Sequence, residues 1–323
     1  MKYIGGFFET ESNLISNQGL FHTDALSFQS GRASFNYLIR HIIPKKIYIP
    51  FYCCDALVEP ILLNNINFEW YSVSENLLPK KEIFLGEGEF IIYINYFGIY
   101  NHNIDILYQR YGKSLILDNT QAFFDKQYEN CFSFNSVRKF FGLPDGAYLY
   151  GLNKGNEYEC LFRNTNISVK YLEMRSAGRQ DEAFKLFLEY EAQINSYLLR
   201  ESDFSANILE RLNYESIAAI RRKNYNLYHS VLEKYNLLKP TLSEKSIPHY
   251  YPFISAKGVS RDMLIEAGIF IPSFWPDVLT RNLNGFEYEK KLAKYLLPLP
   301  LDHRYAESDC RIVIEKLMNI LQV

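Results

Sequence analysis

Short apolar runs alternate with longer amphipathic segments through the first 150 residues of the chain. The run FIIYINYF at residues 90–97 is almost entirely apolar, which is typical of a strand buried on both faces of a parallel sheet. Helices are predicted over residues 53–65 and 103–111, and strands joined by helices of this length form βαβ units. We therefore predict an α/β fold with a mostly parallel, doubly wound sheet. The other strands of this sheet are predicted at residues 46–50, 68–73, 114–118, 131–134 and 147–150.

The pattern changes past about residue 180, where long helices are predicted over residues 180–200 and 214–237. Short strands at residues 251–254 and 269–272 and helices at residues 261–267 and 307–321 follow them. This alternation predicts a smaller α+β domain after a helical bridge. We expect a large domain over residues 1–200 and a small C-terminal domain over residues 201–323, both within the usual size range of domains.

The charge balance bears on possible partners. The chain has 35 basic and 37 acidic residues and a net charge of −2, so it presents no field of one sign that would hold nucleic acid.

Its N-terminus lacks the apolar core of a signal peptide, and its longest apolar stretches are too short to span a bilayer. The five cysteines are odd in number and include no C-x-x-C pair, and the six histidines are scattered. We expect a cytoplasmic protein with no membrane span, no disulfide framework and no metal site.

Two features at predicted strand or helix ends could bind an anionic or cationic ligand group. Gly31 and Arg32 follow Ser30 directly before the amphipathic run SFNYLIRHII, and free N–H groups at such a helix start can hold a phosphate. An ordinary helix cap is the alternative. Asp118 ends the buried strand SLILD and is followed by Gln121. A carboxylate there needs a cation or a donor, such as a protonated ring nitrogen, although a helix cap is again an alternative.

A third feature follows the strand predicted at residues 131–134. Ser133 and the pattern Ser136-x-x-Lys139 precede a Gly-Leu-Pro-Asp-Gly turn that ends at Gly146. The S-x-x-K spacing places a hydroxyl near a phosphate and an amine near an aldehyde in many pyridoxal phosphate enzymes. Taken alone the pattern is weak, because chance matches are common.

The order of the three features resembles that of the DegT/StrS family of pyridoxal phosphate sugar aminotransferases, which has the fold type I architecture. Three further segments resemble the family: the proline-aromatic segment IPFYCC at residues 49–54, the strand end NYFG at residues 95–98, and the closing segment LLPLPLD at residues 296–302. The resemblance covers nearly the whole chain and is most specific over residues 28–151. It implies pyridoxal 5'-phosphate as the cofactor.

The resemblance also implies roles around the cofactor ring. Asp118 pairs with the ring nitrogen and keeps it protonated, and Gln121 lies against the phenolic oxygen. Lys139 forms the Schiff base and then moves a proton between substrate and cofactor carbons. Cys54 covers one ring face, or Tyr52 does so instead.

The cofactor's phosphate has its own set of implied contacts. Gly31 and Arg32 offer main-chain N–H groups, and Ser133 or Ser136 adds a hydroxyl.

One departure from the family concerns the lysine. Without a gap, Arg138 occupies the family's lysine position, and arginine cannot form an imine with the cofactor. A local shift of register anchored on Ser136 places Lys139 there, and we favour that alignment. The alternatives are a non-catalytic relative that binds a nucleotide-sugar or the cofactor, and a related pyridoxal phosphate dehydratase.

The function implied by the resemblance is transfer of an amino group from glutamate to a nucleotide-linked keto-sugar. The mechanism is ping-pong, and the setting is surface polysaccharide biosynthesis. Because active sites of this fold lie at a subunit interface, the resemblance also implies a homodimer.

Overall fold

The structure is a computed structural model that describes residues 3–12, 14–15 and 18–322. Residues 1 and 323, the outer ends of the two predicted domains, lie outside the described residues. The strands are β1 Ile4–Gly5, β2 Leu26–Phe28, β3 Lys46–Pro50, β4 Asn67–Tyr71, β5 Glu89–Ile94, β6 Leu115–Asn119, β7 Phe132–Asn135, β8 Ala147–Tyr150, β9 Tyr251–Phe253, β10 Ile269–Phe270 and β11 Leu297–Leu299. The helices are α1 Gly31–Ile42, α2 Asp55–Leu63, α3 Asn101–Tyr111, α4 Asn156–Glu159, α5 Lys170–Ser176, α6 Gln180–Glu191, α7 Asp203–Leu209, α8 Tyr214–Leu232, α9 Arg261–Glu266, α10 Asp277–Thr280, α11 Glu287–Tyr295 and α12 Glu307–Leu321.

The described residues form one large sheet with the strand order β2-β8-β7-β6-β5-β3-β4. Strands β4, β3, β5, β6 and β7 run parallel, and β8 and β2 add antiparallel neighbours at one edge. The last four residues of β5 and all five of β6 are buried, as expected for central strands covered on both faces. The predicted mostly parallel α/β sheet is confirmed.

The carboxyl ends of four parallel strands meet at one edge of this sheet. Strand β3 ends at Pro50, β5 at Ile94, β6 at Asn119 and β7 at Asn135. The candidate residues between 51 and 139 lie in the last residues of these strands, as Asp118 does, or in the segments that follow them, with Ser133 inside β7. This edge is the usual ligand site of a parallel sheet, so the topology gathers the predicted motifs in one place.

The strand predicted at residues 90–97 ends earlier than expected. β5 stops at Ile94, and a single 3-10 turn over Tyr96–Gly98 follows. Phe97 has φ 58° and Gly98 has φ 65°, so the chain bends sharply away from the sheet. A Cβ atom on Gly98 would lie 2.7 Å from the Gln121 carbonyl oxygen and 2.8 Å from that of Ile247, which only glycine avoids.

The C-terminal part of the chain packs helices against short strands. β9 pairs antiparallel with β11, and α12 packs against α8. Strand β1 pairs in parallel with β10, so Ile4 and Gly5 join this part of the molecule. The predicted smaller C-terminal α+β part is confirmed, while its boundary at residue 200 stays a prediction.

The helix predicted over residues 180–200 is wrong beyond Glu191, where α6 ends. The next residues instead cross the first turns of α1. The carbonyl oxygen of Ile194 accepts a hydrogen bond from Arg32 at 2.6 Å, and that of Ser196 accepts one from Asn36 at 2.8 Å. If the helix continued, these main-chain oxygens would accept hydrogen bonds within it and would not be available to Arg32 and Asn36. The helix predicted to residue 237 likewise ends at Leu232.

In the part of the chain that the structure describes, no helix is long and apolar enough to cross a membrane.

Candidate active site

Asp118 and Lys139 face each other at the carboxyl edge of the sheet. Asp118 is the fourth residue of β6 and is 5% exposed, and Lys139 lies in the loop that follows β7. The Lys139 ammonium donates a hydrogen bond to Thr120 Oγ1 at 3.2 Å, and the Thr120 N–H donates to Asp118 Oδ1 at 2.9 Å. Thr120 thus joins the amine to the carboxylate. We call Asp118, Thr120, Gln121 and Lys139 the lysine pocket.

Burial and charge act in opposite directions on Asp118. Removal from water raises the pKa of its carboxyl group, whereas the positive charge of Lys139 and the hydrogen bonds from Thr120 oppose that rise. The net shift is upward. A buried carboxylate in this state is stabilised by any further cation that comes within contact distance.

Gln121 is 1% exposed, and the structure fixes its orientation. Its Oε1 accepts a hydrogen bond from the main-chain N–H of Phe97 at 2.7 Å. Its Nε2 is buried and has no hydrogen-bond partner among the described residues. An amide donor left unpaired in a buried position is costly, which identifies it as a point where an external acceptor would be stabilised.

The side chains of Arg138 and Lys139, which are neighbours in this loop, point in different directions. Arg138 pairs with Glu191 of α6, and its guanidinium lies 5.6 Å from the centre of the Tyr190 ring. It therefore turns toward α6, whereas Lys139 turns toward Asp118. The structure places the amine, and not the guanidinium, in the lysine pocket.

The start of helix α1 reaches the same region. Ser30 caps the helix, and its Oγ accepts a hydrogen bond from Ala33 N–H at 3.1 Å. A Cβ atom on Gly31 would lie 3.2 Å from Thr120 Cγ2 and 3.3 Å from the Asn135 carbonyl oxygen, so glycine permits this close approach. The main-chain N–H groups of Gly31 and Arg32 belong to the first turn, where a helix has no internal acceptors for them. The Arg32 side chain points away and pairs with Glu59 at 3.0 Å.

Cys54 and Tyr52, the two residues predicted to cover the cofactor ring, have different surroundings. Cys54 occupies the N-cap position of α2. The charges of Lys139 and Asp118 act on its thiol, although burial is the main reason that the pKa of this thiol is raised. Tyr52 is fully buried and packs its ring against Trp275 at 4.5 Å, so it belongs to the core. Ser136 lies between the end of β7 and Lys139.

Ser133 is not brought into the lysine pocket. In the parallel pairing of β6 with β7, Asp118 is opposite Phe134 and Leu117 is opposite Ser133. Registered neighbours share a face of the sheet, so Ser133 lies on the face opposite Asp118. Its hydroxyl is buried.

A cavity of about 560 Å³ opens beside Lys139. Its wall is formed by residues between 3 and 8, which we call the N-terminal segment, and by helices α5 and α6. The residues just before β9 and those just after β10 also line it. Aromatic rings predominate in it, and its charged residues are Arg138, Lys139, Arg175, Asp181, Glu191 and Arg261. Its lining includes Phe7, Phe8, Ser136, Tyr171, Phe184, Phe187, His249, Tyr250 and Phe274.

Charged side chains hold the N-terminal segment against this cavity. Arg175 donates to Glu9 at 3.0 Å, and Arg304 donates to Glu9 at 3.0 Å and to Asp302 at 2.7 Å. We call these four residues the arginine cluster. Sequence reasoning missed it, because its members are separated by up to 295 positions and form no local motif.

Arg281 was also missed. It donates to the carbonyl oxygens of Phe51 at 2.6 Å and Cys53 at 3.0 Å and lies 4.4 Å from the Trp70 ring centre. This C-terminal residue therefore braces the segment that leads to Cys54. Among the described residues, no group of three or more His, Cys, Asp or Glu side chains is arranged to hold a metal ion.

Comparison with known proteins shows the fold. No protein-family profile and no curated protein sequence matches the chain. Among solved structures, PseC of Helicobacter pylori, an aminotransferase of pseudoaminic acid biosynthesis, is 14% identical with a TM-score of 0.70, and the match covers 99% of this chain and 100% of that one.

Two other solved structures give the same result. A sugar aminotransferase of Micromonospora echinospora is 14% identical with a TM-score of 0.64, covering 93% of this chain and 88% of its own. NtdA of Bacillus subtilis, solved with bound cofactor PMP, is 17% identical with a TM-score of 0.66, covering 93% and 73%. At these identities the likeness establishes the shared architecture, and the predicted fold type I is confirmed.

Proposed function

We propose that this protein is a pyridoxal phosphate-dependent aminotransferase of the DegT/StrS type that acts on a sugar. The observation that carries the proposal is the meeting of Lys139 and Asp118 at the carboxyl edge of the sheet, joined through Thr120. A half-buried amine that lines a cavity and faces a buried carboxylate at this edge is the pair that the cofactor's aldehyde and ring nitrogen need. The fold shared with sugar aminotransferases supports the same conclusion.

The donors and acceptors of the site fit pyridoxal phosphate. The unpaired Gln121 Nε2 offers a hydrogen bond to an oxygen such as the phenolic one. The first turn of α1 offers the N–H groups of Gly31 and Arg32 to a phosphate, and Ser136 adds a hydroxyl from the neighbouring loop. Cys54 covers part of the site. Ser133 is left out of this assignment because it lies on the other face of the sheet.

The bound cofactor supplies an electron sink for the carbon that exchanges its amino group. Asp118 would hold a proton on the ring nitrogen, since a buried carboxylate strongly favours a paired cation. Lys139 would hold the cofactor through its amine and would move a proton at the reacting carbon. Thr120 keeps that amine within reach of Asp118.

The cavity beside Lys139 is the candidate site for the acceptor sugar. Its aromatic rings match the apolar faces of a sugar ring, and its charged groups are largely paired, as Arg138 is with Glu191. We propose a nucleotide-linked keto-sugar as acceptor, glutamate as amino donor and surface polysaccharide biosynthesis as the setting. These finer assignments rest on the resemblance of the sequence motifs.

The orientation of Arg138 weakens the case for a non-catalytic relative. That alternative rested on an arginine in the place of the lysine, and the structure turns this arginine toward Glu191.

We further propose a cytoplasmic homodimer. Phe184 and Leu188 of α6 are each about half exposed, as an interface needs, and sedimentation equilibrium measures the mass directly.

The test is an absorbance spectrum with added pyridoxal phosphate, followed by borohydride reduction and peptide mapping. We expect a yellow protein whose reduced adduct maps to Lys139, and loss of colour when glutamate is added. Lys126→Ala, which removes an exposed lysine, is the matched control and should behave as wild type. A colourless protein without adduct would exclude the proposed function and leave the fold unchanged.

A further inference from the structure

We propose that His249 and Arg221 are positioning residues that fix the main chain of Lys139 relative to Gln121. Both belong to the C-terminal part of the chain and neither faces Asp118. The inference rests on the proposed function, because it assigns them a task toward Lys139. The physical arrangement can nevertheless be tested without any cofactor.

His249 connects the loop that carries Lys139 to the turn at Phe97, which holds the side chain of Gln121. Its Nε2 lies 2.9 Å from the carbonyl oxygen of Lys139. Its main-chain N–H donates to the carbonyl oxygen of Phe97 at 2.8 Å, and the N–H of Phe97 holds Gln121 Oε1 at 2.7 Å. His249 therefore links the Lys139 loop to the turn at Phe97 that orients the Gln121 side chain.

The tautomer of His249 follows from these contacts. A carbonyl oxygen only accepts hydrogen bonds, so Nε2 carries the proton. Burial, together with the positive charges of Arg221 and Lys139, lowers the pKa of the His249 ring well below its usual value, which keeps the ring neutral. Nδ1 then has no proton and is buried without a partner among the described residues.

The position of the ring itself is fixed by stacking. The rings of Phe140 and Phe274 stack on it, with ring centres 4.9 Å and 6.2 Å away and interplanar angles of 23° and 21°. The imidazole cannot rotate away from Lys139 without losing these two stacking contacts.

Arg221 holds this arrangement from helix α8. It is completely buried, and its guanidinium lies 4.6 Å from the centre of the Phe140 ring. It donates to the carbonyl oxygens of Pro248 and His249 at 3.2 Å each and of Phe140 at 3.1 Å. All three acceptors are main-chain oxygens rather than carboxylates. Burying a guanidinium for such partners is costly, and its effect is to fix the residues on both sides of the His249–Lys139 contact.

The first test compares chemical labelling of lysines in protein that has received no cofactor. Limited reductive methylation followed by peptide mapping gives the ratio of labelling at Lys139 to that at the exposed Lys126. We expect His249→Phe, which keeps a stacked ring but removes the donor, to raise this ratio about fivefold, the factor set by loss of one hydrogen bond. His249→Gln retains an N–H at the same reach and should restore the wild-type ratio.

Two results would overturn the proposal. One is a wild-type ratio in folded His249→Phe, and the other is an equally raised ratio in His249→Gln. If His249→Phe does not fold, nitrogen-15 NMR of histidine-labelled wild-type protein decides instead. A neutral His249 with its proton on Nε2 at pH 7 is expected, and a proton on Nδ1 or a charged ring would contradict the assignment.

Failure of the proposed function gives a different signature. If wild-type protein forms no borohydride-stable adduct, the aminotransferase proposal fails, while the labelling ratios still decide whether His249 fixes Lys139. If the adduct forms, His249→Phe should slow its formation at Lys139, and His249→Gln should restore the rate.

Discussion

The lysine pocket and the arginine cluster both contain carboxylates and cationic side chains, but they differ in how fully their polar groups are paired. In the arginine cluster, Glu9 is shared by Arg175 and Arg304, and Asp302 accepts two hydrogen bonds from the Arg304 guanidinium. In the lysine pocket, a buried amide donor of Gln121 has no partner within the described part of the chain. The first region is complete without a ligand, and the second offers groups that a ligand would complete.

The two buried aspartates show the same contrast. Burial favours a raised pKa for both carboxyl groups. For Asp302 the charge and hydrogen bonds of Arg304 outweigh burial, and its pKa lies well below the usual value. For Asp118 the single ammonium of Lys139 does not, and its pKa is raised. Full pairing therefore stabilises the fold at Asp302, whereas Asp118 retains capacity for another cation.

Lys139→Ala should have the largest effect on activity, because it removes both the covalent attachment and the proton carrier. We expect a loss of at least about 10³-fold in kcat and no borohydride-stable adduct. Steady-state kinetics and peptide mapping measure the two effects. An adduct of wild-type amount at another lysine would show that the pocket has been assigned to the wrong residue.

Asp118→Asn should retain the adduct but lose about 10²–10³-fold in kcat, because the amide cannot keep a ring nitrogen protonated. Absorbance after cofactor addition measures the first quantity, and a glutamate half-reaction measures the second. Thermal unfolding serves as the control for folding. Activity within a factor of about three of wild type would remove Asp118 from the mechanism.

Asp302→Asn addresses the other region and should act on stability. Removing one partner of a buried ion pair costs about 3–5 kcal/mol in the free energy of unfolding, measured with urea. The pKa of Asp302 is lower in the folded state than in the unfolded chain. Its contribution is therefore present above the unfolded value of about 4 and is lost as the pH falls toward the folded value. In the variant, the free energy of unfolding should fall less than in wild type as the pH is lowered below about 4. The same pH dependence in variant and wild type would contradict the pairing.

Gly31→Ala should have the smallest effect. Its Cβ would meet Thr120 and the Asn135 carbonyl oxygen at 3.2–3.3 Å, so the helix start must shift slightly away from the pocket. We expect about a tenfold weaker Kd for pyridoxal phosphate, or about 1.4 kcal/mol, with little change in Tm. Fluorescence titration measures the affinity. An unchanged Kd would exclude the start of α1 as the phosphate site.

Local patterns predicted the sheet better than they predicted its surroundings. The apolar run of β5 and the aspartate at the end of β6 are local signals; β6 lies where expected, and β5 lies within the predicted region but ends at Ile94 rather than at residue 97. The helix predicted to residue 200 was wrong after Glu191 because contacts from Arg32 and Asn36 to distant carbonyl oxygens override local propensity. Such contacts join residues about 160 positions apart.

The site shows the same limit. Asp118, Gln121 and Lys139 were found from a motif order, since each ends or follows a predicted strand. The motif order could not reveal which way Arg138 and Lys139 point, because side-chain direction in a loop depends on partners such as Glu191. The contacts of His249 with Lys139 likewise have no sequence signature.

The most direct test of the central claim, that Lys139 carries the chemistry and Arg138 does not, is adduct mapping in Arg138→Lys. This variant puts a second amine at the position that an ungapped alignment assigns to the lysine, while Glu191 can still pair with it. After pyridoxal phosphate and borohydride treatment, we expect the adduct at Lys139 alone, in wild-type amount. An adduct that moves to position 138 would contradict the account, because it would show that this position, and not Lys139, faces the cofactor.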